Sequence, residues 1–188
     1  MPEARIEDTG SGLAPATEGW FVVNVRDAEW WTSEDGEKRP SGAECAFESP
    51  ANWGRELGIR LHVLDPGEPN GLYHSESHEE AFLVLSGECT LLVEGEERRL
   101  RQWDFFRCPA GTEHIFVGAG DGPCAIFMAG VRGETKIRYP VSELASHHGA
   151  GAEEETNDPR RAYADFEPSR RARPSSWDRL PWGGPATS

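Results

Sequence analysis

From residue 19 to about residue 131 the chain is a succession of short apolar runs, each closed by turn residues, with no helix-length amphipathic stretch between them. That pattern predicts an all-β fold. The runs cover residues 20–25, 58–64, 81–85, 90–93, 115–117 and 125–128. Glu94-Gly95 predicts a tight hairpin, Ser86-Gly87-Glu88 a corner, and residues 118–123 a looser turn. Strands at this spacing suggest an antiparallel sandwich or barrel.

The 188 residues suit one domain with terminal extensions. Residues 1–18 lack periodicity and are expected to be without regular structure or only loosely attached. Residues 19–139 form the expected β-barrel, and residues 140–188 the expected C-terminal helices and arm. Within that tail, residues 140–149 read as a short helix closed by Gly149. Asp158-Pro159 would cap and start a second helix running to Phe166. Trp177, Leu180 and Trp182 are large apolar residues in a polar arm and are expected to dock, on the barrel or on a neighbouring copy.

The formal charge of -14 repels phosphate backbones and anionic membranes, so neither nucleic acid nor membrane is an expected partner. No run approaches a membrane span, and the N-terminus lacks the pattern of a signal peptide. The expected location is the cytoplasm. Cys45, Cys89, Cys108 and Cys124 show no CxxC spacing and are expected to be reduced and mostly buried.

Chemistry concentrates between Gly67 and Gly118. Alternation places His74 and Glu76 on one face of an extended segment, and Glu80, Phe82 and Val84 on one face of the next. His114 follows Pro109-Ala110-Gly111-Thr112-Glu113. Imidazole and carboxylate donors at the rim of an apolar interior suit a divalent ion.

This window resembles the paired motifs of the cupin superfamily. The first motif there has a glycine, five residues, His, any residue, His, three or four residues, Glu, six residues and a glycine. Here His74, Glu80 and Gly87 match it, with Glu76 in place of the second histidine and one extra residue between Gly67 and His74. The second motif has Pro, any residue, Gly, two residues and His, which Pro109, Gly111 and His114 match in full. Asp104 falls where the family commonly has an aspartate, whereas Trp103 and Gly118 replace a usual glycine and asparagine.

The resemblance implies a double-stranded β-helix, or jelly-roll, barrel holding one divalent ion (Zn, Mn, Fe or Ni) through His74, Glu80 and His114. Glu76 is either a fourth ligand or a turn residue, and a rearranged turn would bring in His78. The family hosts several chemistries on one barrel. The implied function is therefore to bind or transform a small organic molecule by dioxygenase-like or isomerase-like chemistry. The alternative is a non-catalytic, metal-assisted binding or sensing module. Glu79, Glu113, Tyr73 and Cys108 are the candidate acid–base groups near the metal. Trp20, Phe82, Phe105, Phe106 and Phe116 read as core, and His62, His147 and His148 as structural or surface residues. Open sheet edges make a homodimer the expected assembly.

Overall fold

The computed structural model describes residues 1–33, 42–54 and 56–183. In chain order the elements are β1 (Ile6–Asp8), β2 (Leu13–Pro15), β3 (Trp31–Thr32), β4 (Ala43–Cys45), β5 (Leu57–Leu64), β6 (Ser75–Glu76), β7 (Glu80–Ser86), β8 (Glu88–Val93), β9 (Glu96–Arg101), β10 (Phe105–Cys108), β11 (His114–Ala119), β12 (Cys124–Val131), β13 (Ile137–Arg138), α1 (Glu143–His147), α2 (Pro159–Ala162) and β14 (Arg170–Arg171). A seven-stranded sheet runs β10-β7-β12-β5-β4-β3-β14, and a three-stranded sheet runs β11-β8-β9. The strand pairs are antiparallel, as the expected jelly roll requires. One core cluster joins Leu64, Phe82, Val84 and Ile126 of the larger sheet to Cys89, Leu91 and Phe116 of the smaller.

Local chemistry explains the corners. Glu94 (φ 49°) and Gly95 (φ 76°) both adopt the left-handed conformation of a type I′ turn, whose twist matches the strands it joins, β8 and β9. Gly87 (φ 71°) turns the chain from the larger sheet into the smaller, and a Cβ there would stand 2.3 Å from the Pro123 carbonyl oxygen. Ser142 caps α1 by accepting from the Ala145 N–H, and Gly149 (φ 70°) closes its end. Asp158 caps α2 through the Arg160 N–H, and Pro159 supplies the first helical turn. This second helix stops at Ala162, short of the expected Phe166.

Three expectations are corrected. Residues 20–25 do not form a strand: the Asn24 carbonyl accepts from the Asp27 and Ala28 N–H groups and turns the chain, leaving Val22 84% and Trp20 53% exposed. Residues 1–18 are not without regular structure, because the Thr9-Gly10-Ser11-Gly12 turn pairs β1 with β2. Gly12 there lies so close to the Ala28 carbonyl that no side chain fits. Phe105 is not core, since it lies 63% exposed on β10, an edge strand.

The arm docks on its own barrel. Trp30, fully buried, stacks on Trp182 (5.9 Å, 25°) and meets Trp177 edge-on (5.6 Å, 81°). Leu180, 4% exposed, joins the same cluster with Ala43, Leu61, Val63 and Ala125. All four cysteines are free and buried. Among the described residues, no helix is long and apolar enough to cross a membrane.

Candidate metal centre and its cavity

His74 and His114 face each other across a two-residue antiparallel bridge in which each backbone N–H donates to the other residue's carbonyl, at 3.2 and 2.8 Å. Their rings lie 5.0 Å apart. The motif glycine makes this alignment possible. Gly111 (φ 85°) closes a turn in which the Thr112 N–H reaches the Pro109 carbonyl, while its own N–H binds the Glu76 carbonyl at 2.7 Å. Glu80 enters from the larger sheet as the first residue of β7, opposite Gly130 of β12.

Each imidazole is oriented through its Nδ1, which donates to a backbone carbonyl, Leu72 for His74 (2.6 Å) and Thr112 for His114 (3.1 Å). These bonds fix the tautomer and leave Nε2 with its lone pair, as in histidines poised to ligate. Burial holds the His114 pKa down to about 4 and pushes that of His74 below its ordinary value, so both rings are neutral near pH 7. Glu80 Oε2 lies 3.4 Å from His114 Nε2 yet is buried without a hydrogen-bond partner. Burial first, and then the negative charge of Glu76, raise the Glu80 carboxyl pKa to about 7. One donor atom from each of His74, Glu80 and His114 falls within 4.8 Å of the others, a set that could hold a metal ion.

Glu76 lines the same cavity with Oε1 3.9 Å from His74 Nε2, but it is not part of that convergent set. His78 stays in its turn, its Nδ1 near the Ser77 and Thr135 hydroxyls. Of the other acid–base candidates, none lines the cavity. Glu79 pairs with Arg107 and Glu113 with Arg138 at the surface, and the buried Tyr73 hydroxyl accepts from the Gly95 N–H. Cys108 sits behind His114, its Sγ 3.4 Å from Nδ1.

The cavity measures about 540 Å³. Alternation along β5 aims Gly58, Arg60 and His62 at it, while Leu61 and Val63 face the Trp30 cluster. His62 is therefore a cavity residue, contrary to the expectation that it is merely structural or at the surface. Its alternation with Arg60 was a readable signal. Asn70, Tyr163 and Arg132 complete the polar wall. Tyr163 arrives from the C-terminal segment, where no motif pointed to it.

Burial holds His62 down to about 4, against the opposing pull of Glu44 and with a smaller contribution from Arg60. Between pH 6.5 and 4 the unfolded chain therefore binds a proton that the folded chain refuses, so His62 costs stability as the pH falls through that window. The expected loss by pH 4.5 is about 2–3 kcal/mol. Urea unfolding at pH 7.5 and 4.5 checks this, because His62→Gln should lose less stability than the parent between the two. Equal losses would refute the buried, neutral state.

Residues 60–130 match the family model described as a cupin domain. Together with the sheet pairing above, that match supports a cupin assignment for the barrel segment. It is similar to an uncharacterized protein of Aquifex aeolicus, 31% identical over 71 residues that span 37% of this chain and 58% of that one. The match thus spans little more than half the length of that relative. Among solved structures, one from Acidithiobacillus ferrooxidans, assigned as a sugar phosphate isomerase, superposes with a TM-score of 0.50 at 25% identity, covering 56% of this chain and 74% of that one. A sugar phosphate isomerase of the cupin superfamily from Silicibacter pomeroyi superposes with a TM-score of 0.52 at 20% identity, over 62% and 79% of the two chains, and bears on the fold alone.

Proposed function

We propose that this cupin holds one divalent ion through His74, Glu80 and His114 and uses it to bind and isomerise a small oxygen-rich organic molecule. The observation that carries the reading is the convergence of two tautomer-fixed imidazoles on a buried carboxylate oxygen that has no hydrogen-bond partner. Two imidazoles and one carboxylate suit Zn, Mn, Fe or Ni and leave coordination positions open. The ion would polarise a carbonyl or hydroxyl oxygen of the ligand.

Isomerase-like chemistry is favoured over oxygen-dependent chemistry by the likeness to the Acidithiobacillus protein and by Glu76. Glu76 lies in the cavity beside His74 but outside the convergent set, where it can move a proton between neighbouring atoms of the ligand. Elemental analysis of the chain purified without chelator, and again after resupply with each metal, is the primary test. Stoichiometric metal is expected, and its absence under both conditions would end the proposal. If metal is held but no aldose–ketose interconversion is found in a panel of sugars and sugar phosphates, the binding or sensing module becomes the better reading.

We also take the assembly to be a homodimer joined along β10, one of the two edge strands of the larger sheet, where Phe105 and the neighbouring Trp103 are 63% and 66% exposed. Light scattering at the monomer mass would rule this out. The free, buried cysteines suit a reducing cytoplasm.

A further inference from the structure

Tyr163 lies outside the matched cupin segment and reaches the cavity because α2 ends one residue before it. Its ring is held between Tyr139 (5.7 Å, 86°) and Phe166 (5.4 Å, 59°). The hydroxyl oxygen accepts from the Leu72 N–H at 2.9 Å, which uses a lone pair and leaves the phenolic proton without an acceptor among the described residues. Burial raises its pKa, so the group stays protonated.

Asn70 is arranged in the same way. Its Oδ1 accepts from the Phe116 N–H at 3.0 Å, and because the partner is a donor the amide orientation is settled. Both N–H groups of Nδ2 remain without a partner among the described residues. Asn70 and Tyr163, together with His62, also line a second cavity of about 170 Å³, so they stand where the two cavities meet.

We propose that Tyr163 and Asn70 form a hydrogen-bond-donating subsite that fixes a hydroxyl or carbonyl oxygen of a polyhydroxylated ligand whose other end lies at His74, Glu80 and His114. The inference builds on the proposed function and gives the ligand's class. The donors are neutral. The cavity's arginines already have anionic partners, Arg60 with Glu44 at 2.9 Å and Arg132 with Glu48 at 2.6 Å. The Tyr163 and Asn70 donors therefore suit uncharged oxygens, and one donor from each side chain suits neighbouring hydroxyls. A polyol long enough to pass the junction would extend into the second cavity.

Calorimetric titration of the full chain, with and without Mn(II), tests this with D-ribose 5-phosphate, D-gluconate and xylitol as probes, and inorganic phosphate and acetate as controls. At least one polyhydroxylated probe should bind the parent, and Tyr163→Phe and Asn70→Asp should each weaken it tenfold or more. Binding of the controls, weak or strong, should not change in Tyr163→Phe. Asn70→Asp keeps the acceptor for the Phe116 N–H, and thermal melts of both variants separate lost contacts from lost folding. A crystal of the parent with the bound probe needs no variant, and a ligand oxygen should lie within hydrogen-bond reach of Tyr163 Oη and Asn70 Nδ2. Unchanged affinities in folded variants, a probe seated elsewhere, or no polyhydroxylated probe bound by the parent would overturn the proposal. If the chain takes no metal yet still binds a probe through these two residues, the subsite stands and the metal reading falls.

Discussion

Glu80→Ala is expected to change stability in opposite directions in the two states of the site. In the metal-free chain the buried carboxyl has its pKa raised to about 7, from an ordinary value of 4.5. A raised folded pKa contributes stability that is present below the unfolded value and lost as the pH rises through 7, so at pH 8 the ionised, unpartnered Glu80 is a burden. Removing it should stabilise the chelated protein by about 1–3 kcal/mol, less the cost of the small void. With metal present the same change would remove a proposed ligand. Loss of an outer-shell partner alone costs about 10–100-fold in metal affinity, so losing Glu80 should cost on the order of 100-fold or more. The stabilisation the parent gains from metal should vanish with it. Thermal melts at pH 8 in chelator and in excess metal, with direct metal titration, read both effects. Glu76→Ala should leave metal affinity within about tenfold of the parent, because Glu76 lies outside the convergent set. A Glu80→Ala chain that binds metal like the parent would remove the central assignment.

The second large effect is expected from the arm. A chain ending before Arg173 loses the Trp177 and Trp182 rings that cover Trp30, and loses Leu180 from the cluster beneath. At about 1.5–3 kcal/mol for each large apolar side chain returned to water, the truncation should cost about 5 kcal/mol. For a domain of this size that lowers the melting temperature by about 10–20 °C. Leu180→Ala, which leaves both tryptophans in place, should cost about 2–4 kcal/mol. A truncated chain as stable as the parent would show that the docking contributes nothing.

The central strands were legible because both of their faces carry information. In β5, β7 and β12 apolar residues crowd a short run between turn signals, and the observed bounds extend the expected ones by three residues or fewer at either end. β9 was legible only through the Glu94-Gly95 hairpin that requires it, since Glu96-Glu97-Arg98-Arg99-Leu100-Arg101 has one apolar residue and is held by its ladder to β8 and by surface pairs such as Arg99 with Glu88. Trp20 to Val25 misled because alternation signals a strand only if a neighbouring strand is available, and among the described residues this run has a single bridge, Trp20 to Glu3. In the site, His74, Glu80 and His114 could be read from motif spacing. Tyr163 could not, since its place depends on how the C-terminal segment crosses the barrel. Tyr73 and Glu113 flank His74 and His114 in sequence yet point away, as neighbours in an extended strand must.

The cluster around Trp30 has a consequence for how the protein is made. Trp30 is translated well before its covering residues, Trp177, Leu180 and Trp182. Chains fold from the N-terminus as they emerge, so Leu61, Val63 and Trp30 remain an uncovered apolar surface while most of the barrel can already pair. A stalled or proteolytically clipped chain would keep that surface open. Until the arm docks, the barrel presents the kind of exposed apolar patch that chaperones and proteases recognise.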